Sequence, residues 1–214
     1  EQAEALTQRY HVVVANPPYM GIKKQSPSLR NFLENSYKEG SSDVFSAFIL
    51  RSQTLVRSGG LVGFVTPNVW LFISAYEKLR IRLIENVKID SLVELSLTGF
   101  EGATVQLAAF SAGWGRPRGT TTTCIRLCDF KSPAEMSQRA LEGINRADCQ
   151  WRHQARMDSF SAIPKSPLAY WLSAKAVLAF REFPPLEKFC LARGGMTTGD
   201  NDRFLRLWFE VESA

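Results

Sequence analysis

The tetrapeptide Asn16-Pro17-Pro18-Tyr19 ends an apolar run, Val12-Val13-Val14-Ala15. Proline fixes φ, carries no N–H and pushes the preceding residue into an extended conformation. Asn16 is therefore held extended at a strand's carboxyl end, with stiff backbone beyond it. Its amide oxygen and the Pro17 carbonyl are two fixed acceptors with no proline N–H beside them. Together they can take both protons of one exocyclic amino group, while Tyr19 offers a face on which a planar base can stack. Open α/β sheets place their ligands at the carboxyl ends of parallel strands. A plain strand-ending turn is the alternative for Asn-Pro-Pro. The strand before it and the pattern after it favour the chemical reading.

Elements must hold this corner. Residues 9–15 read as a buried strand, followed by about 25 residues without strong periodicity, Met20 to Ser42, of the kind that is functional or mobile in a compact domain. "DVFSAFILRSQTLVRSGG" predicts a helix with Val44, Phe45, Phe48, Ile49, Leu55 and Val56 on one face, capped by Ser42 or Asp43 and ended by Gly59-Gly60. Residues 61–65 form a second strand. A capping box at Ser74–Glu77 opens a helix to about Asn86, with Tyr76, Leu79, Leu83 and Ile84 inward. Strands follow at 89–95 and 103–112, close enough to pair as an antiparallel hairpin. Strands 9–15, 61–65 and 89–95 are expected to run parallel in one sheet, the last strand lying antiparallel beside one of them. That is an α/β fold, half of a doubly wound domain.

Beyond it "TTTTCIRLCDF" is a strand, Ser132-Pro133-Ala134-Glu135 caps a helix to about Arg146, and residues 151–160 alternate weakly. Ser166-Pro167 is expected to open another helix, broken near Ser173. The last stretch, with its Gly-rich turn, looks like β structure. The expected domains are 1–130, a helical linker region over 131–184, and a separate segment over 185–214.

Composition narrows the function classes. A chain of 214 residues with 45% hydrophobic and 22% charged residues can bury an ordinary core. No apolar run approaches the ~20 residues a membrane span needs. The charge of +5 permits an acidic partner without requiring one. Only two histidines, His11 and His153, are present. Cys124 and Cys128 would lie roughly 13 Å apart along a strand, too far for a disulfide. No metal-ligand cluster emerges, and free thiols suit a reducing cytoplasm.

Asn16-Pro17-Pro18-Tyr19 resembles the catalytic motif of the N6-adenine DNA methyltransferases, which use S-adenosylmethionine. "SSDVFSAFILRSQTLVRSGGLVGFVTPNVWL" resembles the helix–strand segment that follows the motif in members with a C-terminal target-recognition domain, and "GGMTTGDNDRFLRLWFEV" the opening of that domain. The combination is most similar to the methyltransferases of bacterial BREX phage-defence systems. The resemblance implies a Rossmann-like class I methyltransferase sheet followed, over 185–214, by the start of a target-recognition domain. It implies double-stranded DNA as partner, with an adenine flipped from the duplex. Asn16 and Pro17 would accept its N6 protons, Pro18 would stiffen the corner and Tyr19 would stack on the base. Lys23 and Lys24 are candidates for DNA contact, and Phe100 for a second aromatic wall or for core filler. Asn16 and Asp43 are candidates on the cofactor side, helix capping being the other role open to Asp43. Other phage-defence proteins are expected as further partners.

Departures from the family pattern set further expectations. Family members carry a Gly-rich loop and an acidic residue for ribose hydroxyls before the NPPY strand. Three βα units of about 30 residues each should carry them, and only 15 residues stand before Asn16 here. His11 takes a strand position where the family commonly has Asp. The chain is therefore expected to be a piece that binds cofactor poorly alone and self-associates through an exposed sheet edge at strand 9–15. Two other functions stay open. The same motif serves enzymes that methylate a glutamine side-chain amide in proteins, and the chain could be a non-catalytic DNA- or protein-binding module.

Overall fold

In a computed structural model of the chain, residues 4, 7–99, 105–115, 119 and 121–191 are described. Two compact units divide it, Glu1–Arg181 and Glu182–Ala214. The first holds a sheet of six strands: β1 (Tyr10–Ala15), β2 (Val56–Pro67), β3 (Val87–Leu95), β4 (Leu107–Trp114), β5 (Thr121–Leu127) and β6 (Arg152–Arg156). Their order is β1-β2-β4-β3-β5-β6. β1 and β2 pair parallel, β4 lies antiparallel between β2 and β3, β5 is parallel to β3, and β6 is antiparallel to β5. The three expected parallel strands therefore share a direction and a sheet. The hairpin partner of β3 is inserted between β3 and β2. In the second unit the described residues include one 3-10 turn, Leu186–Lys188.

Five helices are described: α1 (Pro27–Ser36), α2 (Val44–Leu55), α3 (Glu77–Asn86), α4 (Pro133–Asn145) and α5 (Ala174–Glu182). One face of the sheet packs Val13, Val62, Phe64, Ile89, Leu92 and Phe110 against Phe45 and Ile49 of α2 and Leu79 and Leu83 of α3. Alternation of side chains along a strand sends the next residues to the other face. There Ile125 and Leu127 meet Met136 of α4, while Val12 and Val14 of β1 are exposed.

Several expectations need correction. The aperiodic stretch 20–42 contains α1, whose cap Ser26 accepts from the Leu29 N–H and whose first residue is Pro27. Gly59-Gly60 does not end α2, which stops at Leu55; both glycines lie in β2. There the register with β1 jumps between Tyr10 and Val12. Gly59 has φ +74°, and a Cβ on Gly60 would sit 2.7 Å from the His11 carbonyl oxygen, so this irregularity demands glycine. Phe48 is exposed, whereas Ala47, Leu50 and Ser52 turn inward with Phe45 and Ile49. Ser74 makes no side-chain cap; residues 74–76 form a 3-10 turn before α3. Ser166 opens no helix. Residues 167–172 are not helical, and α5 begins after Ser173, whose Oγ accepts from the Ala176 N–H. Within the segment expected as a helical linker, β6 extends the sheet.

The non-helical path through 163–172 follows from one side chain. Arg80 on α3 is fully buried. Its guanidinium donates to four backbone carbonyls: Trp70 and Ile73 at 2.7 Å, Lys165 at 2.7 Å and Ser166 at 2.9 Å. Lys165 and Ser166 have φ of 66° and 50°, a left-handed pair that costs non-glycine residues energy. Burial lowers the Arg80 pKa and nearby Glu77 opposes the shift.

Replacing Arg80 by Met keeps an apolar stem and takes the donors from these carbonyls. The expected cost is about 3–5 kcal/mol, read from urea unfolding of the 214-residue chain. An unchanged midpoint and slope would show that the guanidinium does not hold the fold.

Candidate active site

β1 ends at Ala15, and the next residue, Asn16, leaves the sheet at the carboxyl end of the parallel pair β1–β2. Pro17 is buried, whereas Asn16 and Pro18 are exposed. The Asn16 Oδ1 accepts a hydrogen bond from the Tyr19 hydroxyl at 2.9 Å, and that hydroxyl lies 3.4 Å from the Val65 carbonyl of β2. The Tyr19 ring meets Phe45 edge-on, with centroids 6.4 Å apart, and Phe45 also packs on Tyr76 with centroids 5.5 Å apart. Tyr19 remains 38% exposed, so part of its surface is open to a ligand. Burial of the remainder raises its hydroxyl pKa.

Asp43 caps α2 and is buried. Its Oδ1 accepts from the Met20 N–H at 2.8 Å and from the Phe45 N–H at 3.2 Å. Burial raises its pKa, opposed by the backbone amides of Met20, Phe45 and Val44. Met20 follows Tyr19 directly, so the cap of α2 also fastens the tetrapeptide. Lys23 and Lys24 lie exposed on a 3-10 turn, Ile22–Lys24, just beyond the corner. Phe100 lies outside the described residues, as does the Gly-rich stretch near 194–199. His11 is five residues back along β1, about 17 Å from Asn16 by strand rise, and its Nε2 lies 3.4 Å from an Arg57 guanidinium nitrogen.

Next to Asn16 the uncovered face of the sheet forms a cleft of about 530 Å³, bounded by Val14, Gly63, Val65, Ser91, Val93 and Ser111, among others. None of its lining residues is charged. This cleft brings no carboxylate to a ligand, and the Asp43 Oδ1 is engaged with the backbone of Met20 and Phe45. What the corner can do by itself is accept protons from an amino group and support a ring.

A second polar group at the same end of the sheet escaped the sequence reading. Glu94, near the end of β3, is 3% exposed. Its Oε1 accepts from Asn68 Nδ2 at 2.7 Å and its Oε2 from the Tyr170 hydroxyl at 2.5 Å. Asn68 also donates to Gln106, by side chain at 3.2 Å and by backbone at 2.9 Å. The signal was a lone Glu in the apolar strand "SLVEL". Burial and Glu94 push the Cys124 and Cys128 thiols up to about 12, which keeps both protonated and inert. Among the described residues no group of three or more His, Cys, Asp or Glu is placed to hold a metal ion. No described helix is long and apolar enough to cross a membrane.

Residues 2–100 match the family model of the Eco57I restriction-modification methylase. The adenine-specific methyltransferase PglX of Lacticaseibacillus casei (strain Zhang) is 34% identical over 98% of this chain and 18% of its own length. BrxX of Escherichia coli O9:H4 (strain HS), also an adenine-specific methyltransferase, is 32% identical over 99% of this chain and 17% of its own. The chain thus spans less than a fifth of these curated relatives. Among solved structures, a component of a type I restriction-modification system superposes with a TM-score of 0.58 at 16% identity, covering 86% of this chain and 42% of that one. The methyltransferase subunit of the type I system of Streptococcus thermophilus gives 0.55 at 17% identity, covering 74% and 37%. At such identities these superpositions establish the fold alone: the sheet follows the sheet of those two chains. With its NPPY corner on that sheet and its similarity running nearly end to end, the chain is a relative of the adenine-specific methyltransferases PglX and BrxX.

Proposed function

We propose that the protein containing this chain methylates N6 of adenine in double-stranded DNA, and that this chain supplies the side of the active site that receives the base. One observation carries the reading. Asn16 Oδ1 stands at the carboxyl end of β1, exposed, already accepting a hydrogen bond from a hydroxyl at 2.9 Å. In the working enzyme an adenine N6–H takes the place of the Tyr19 hydroxyl on that oxygen, and the Pro17 carbonyl accepts the second N6 proton. Holding both protons draws the nitrogen lone pair out of conjugation with the ring. A carboxamide suits this role better than a carboxylate, because it accepts without a titrating charge. Positioning and preorganised acceptors carry the chemistry, with no covalent enzyme intermediate.

The adenine leaves the duplex at an unstacking cost of a few kcal/mol and is received on the Tyr19 ring. Lys23 and Lys24 are suited to backbone phosphates beside it. S-adenosylmethionine, the methyl donor of the family, would supply the methyl group. Service in a phage-defence system beside further proteins is supported by the PglX and BrxX similarity. β1 is the outermost strand of the order, and the exposed Val12 and Val14 on its face add apolar surface beside it, which favours self-association of the 214-residue chain.

The rival substrate is a glutamine side-chain amide, which is also a planar NH2 group. Similarity to adenine-specific enzymes over nearly the whole chain favours DNA. Asn16→Ala in the whole protein removes an acceptor that strengthens as the lone pair localises, and is expected to slow turnover on duplex DNA about 100- to 1,000-fold, or about 2.7–4 kcal/mol. Methylation of adenine at the parental rate would sink the two-acceptor mechanism. Transfer to protein glutamine with none to DNA would favour the rival.

Tyr19→Ala is expected to weaken capture of the base by about 1–3 kcal/mol. Tyr19→Phe keeps the ring and gives up only a hydroxyl that the base must displace, so its turnover should stay within about tenfold of the parent. A Phe variant as impaired as the Ala variant would contradict ring stacking.

A further inference from the structure

Beyond the motif itself, the geometry points to Asp43 as the residue that positions Tyr19 for the base, acting through backbone and not by contact with cofactor. The kinetic part of this inference rests on the adenine reading above; its structural part does not.

Both backbone groups of Met20 are held. Its N–H goes to Asp43 Oδ1 at 2.8 Å, and its carbonyl accepts from the Val44 N–H at 3.2 Å and from Gln25 Nε2 at 3.1 Å. Gly21 adds an isolated antiparallel bridge to Asp43. On the other side of Tyr19, Pro18 has its φ fixed by its ring. Tyr19 is thus the one residue of the corner flanked by a rigid neighbour before it and a fastened one after it. The same Oδ1 accepts the N–H of Phe45 at 3.2 Å, and Phe45 is the ring on which Tyr19 rests. A single oxygen therefore sets both the backbone that carries the stacking ring and the ring that supports it.

That geometry separates the positioning role from a charge role. Both of these bonds fall on Oδ1, so Asn at position 43 can supply them through its carbonyl oxygen without a negative charge. Ser retains a helix-capping acceptor but is too short to keep the Met20 bond. A contact that needed the carboxylate charge, such as one to a cofactor hydroxyl or cation, would be lost in all three of Asp43→Asn, Asp43→Ser and Asp43→Ala.

The first measurement is amide hydrogen exchange at Met20 in the 214-residue chain, with circular dichroism to confirm that each variant is folded. Protection is expected in the parent and in Asp43→Asn, and at least tenfold faster exchange in Asp43→Ser and Asp43→Ala. The second measurement is methylation kinetics of the whole protein on duplex DNA. Asp43→Ala and Asp43→Ser are expected to raise KM for DNA about tenfold or more with a smaller change in kcat, and Asp43→Asn to restore most of the loss. Equal damage from Asn and Ala would overturn the positioning role in favour of charge. Unchanged Met20 exchange in a folded Asp43→Ala would overturn it as well. If the exchange pattern holds while the parent protein leaves adenine unmethylated, the clamp on Tyr19 stands and the adenine reading falls.

Discussion

A buried guanidinium with carbonyls in place of a carboxylate holds the carboxyl end of the sheet to the chain that follows it. Arg80 gathers the turn after β2 and the loop at 165–166 onto α3. A charge placed in the interior is tolerable only when its donors are met, and here four backbone oxygens meet them at good distances. The arrangement dictates local structure in turn. Two successive residues accept left-handed backbone angles so that their carbonyls face the same guanidinium. The segment then runs through tight backbone turns at 167–172, bringing Tyr170 to Glu94. Helix, turn and loop are thus settled together, and the end of β2 that borders the candidate site inherits that rigidity.

The site combines two kinds of constraint. Prolines limit what the backbone at the corner can do, and hydrogen bonds from the helix beneath limit what remains. The chemically useful groups are uncharged: a carboxamide oxygen, a peptide carbonyl, a phenol ring. The cleft beside them is uncharged too. Acceptors of this kind keep their strength across the ordinary pH range, because nothing in them titrates there. Among the described residues of the corner, the Asp43 carboxyl is held by backbone N–H groups, and Lys23 and Lys24 lie exposed at the margin.

Much of this was legible in the residues. The β-branched run before Asn16, the apolar spacing of Phe45 and Ile49 and the run 89–95 each carried a local signal strong enough to survive folding. The parallel and antiparallel directions followed from connection lengths. Other features were not legible because they depend on partners distant in sequence. Glycines 59 and 60 look like a helix stop, yet the register jump against β1 and the close approach of the His11 carbonyl give them their task. Ser166-Pro167 looks like a helix start, yet Arg80, 86 positions earlier, claims the serine's carbonyl. α1 had its Ser-Pro cap in plain view, but only Leu29, Phe32 and Leu33 mark its apolar face in an otherwise polar stretch. At the site, Asn16 and Tyr19 were evident from type and order. The hydroxyl–carboxamide contact and the grip of Asp43 on Met20 depend on side-chain geometry that spacing does not encode.

The insertion of β4 between β2 and β3 has a consequence for how the chain comes into being. A ribosome delivers β1, β2 and β3 before β4, yet β2 and β3 never touch as neighbours; each waits for residues 107–114 to fill the gap. Until then the nascent polypeptide carries two incomplete edges bordered by apolar side chains, a state that invites pairing with the wrong strand. Once β4 enters, it satisfies both edges in a single step and joins what were two separate pieces. Joining β2 to β3 therefore waits for residues 107–114, and substitutions along β4 should be felt first as lost yield of folded protein.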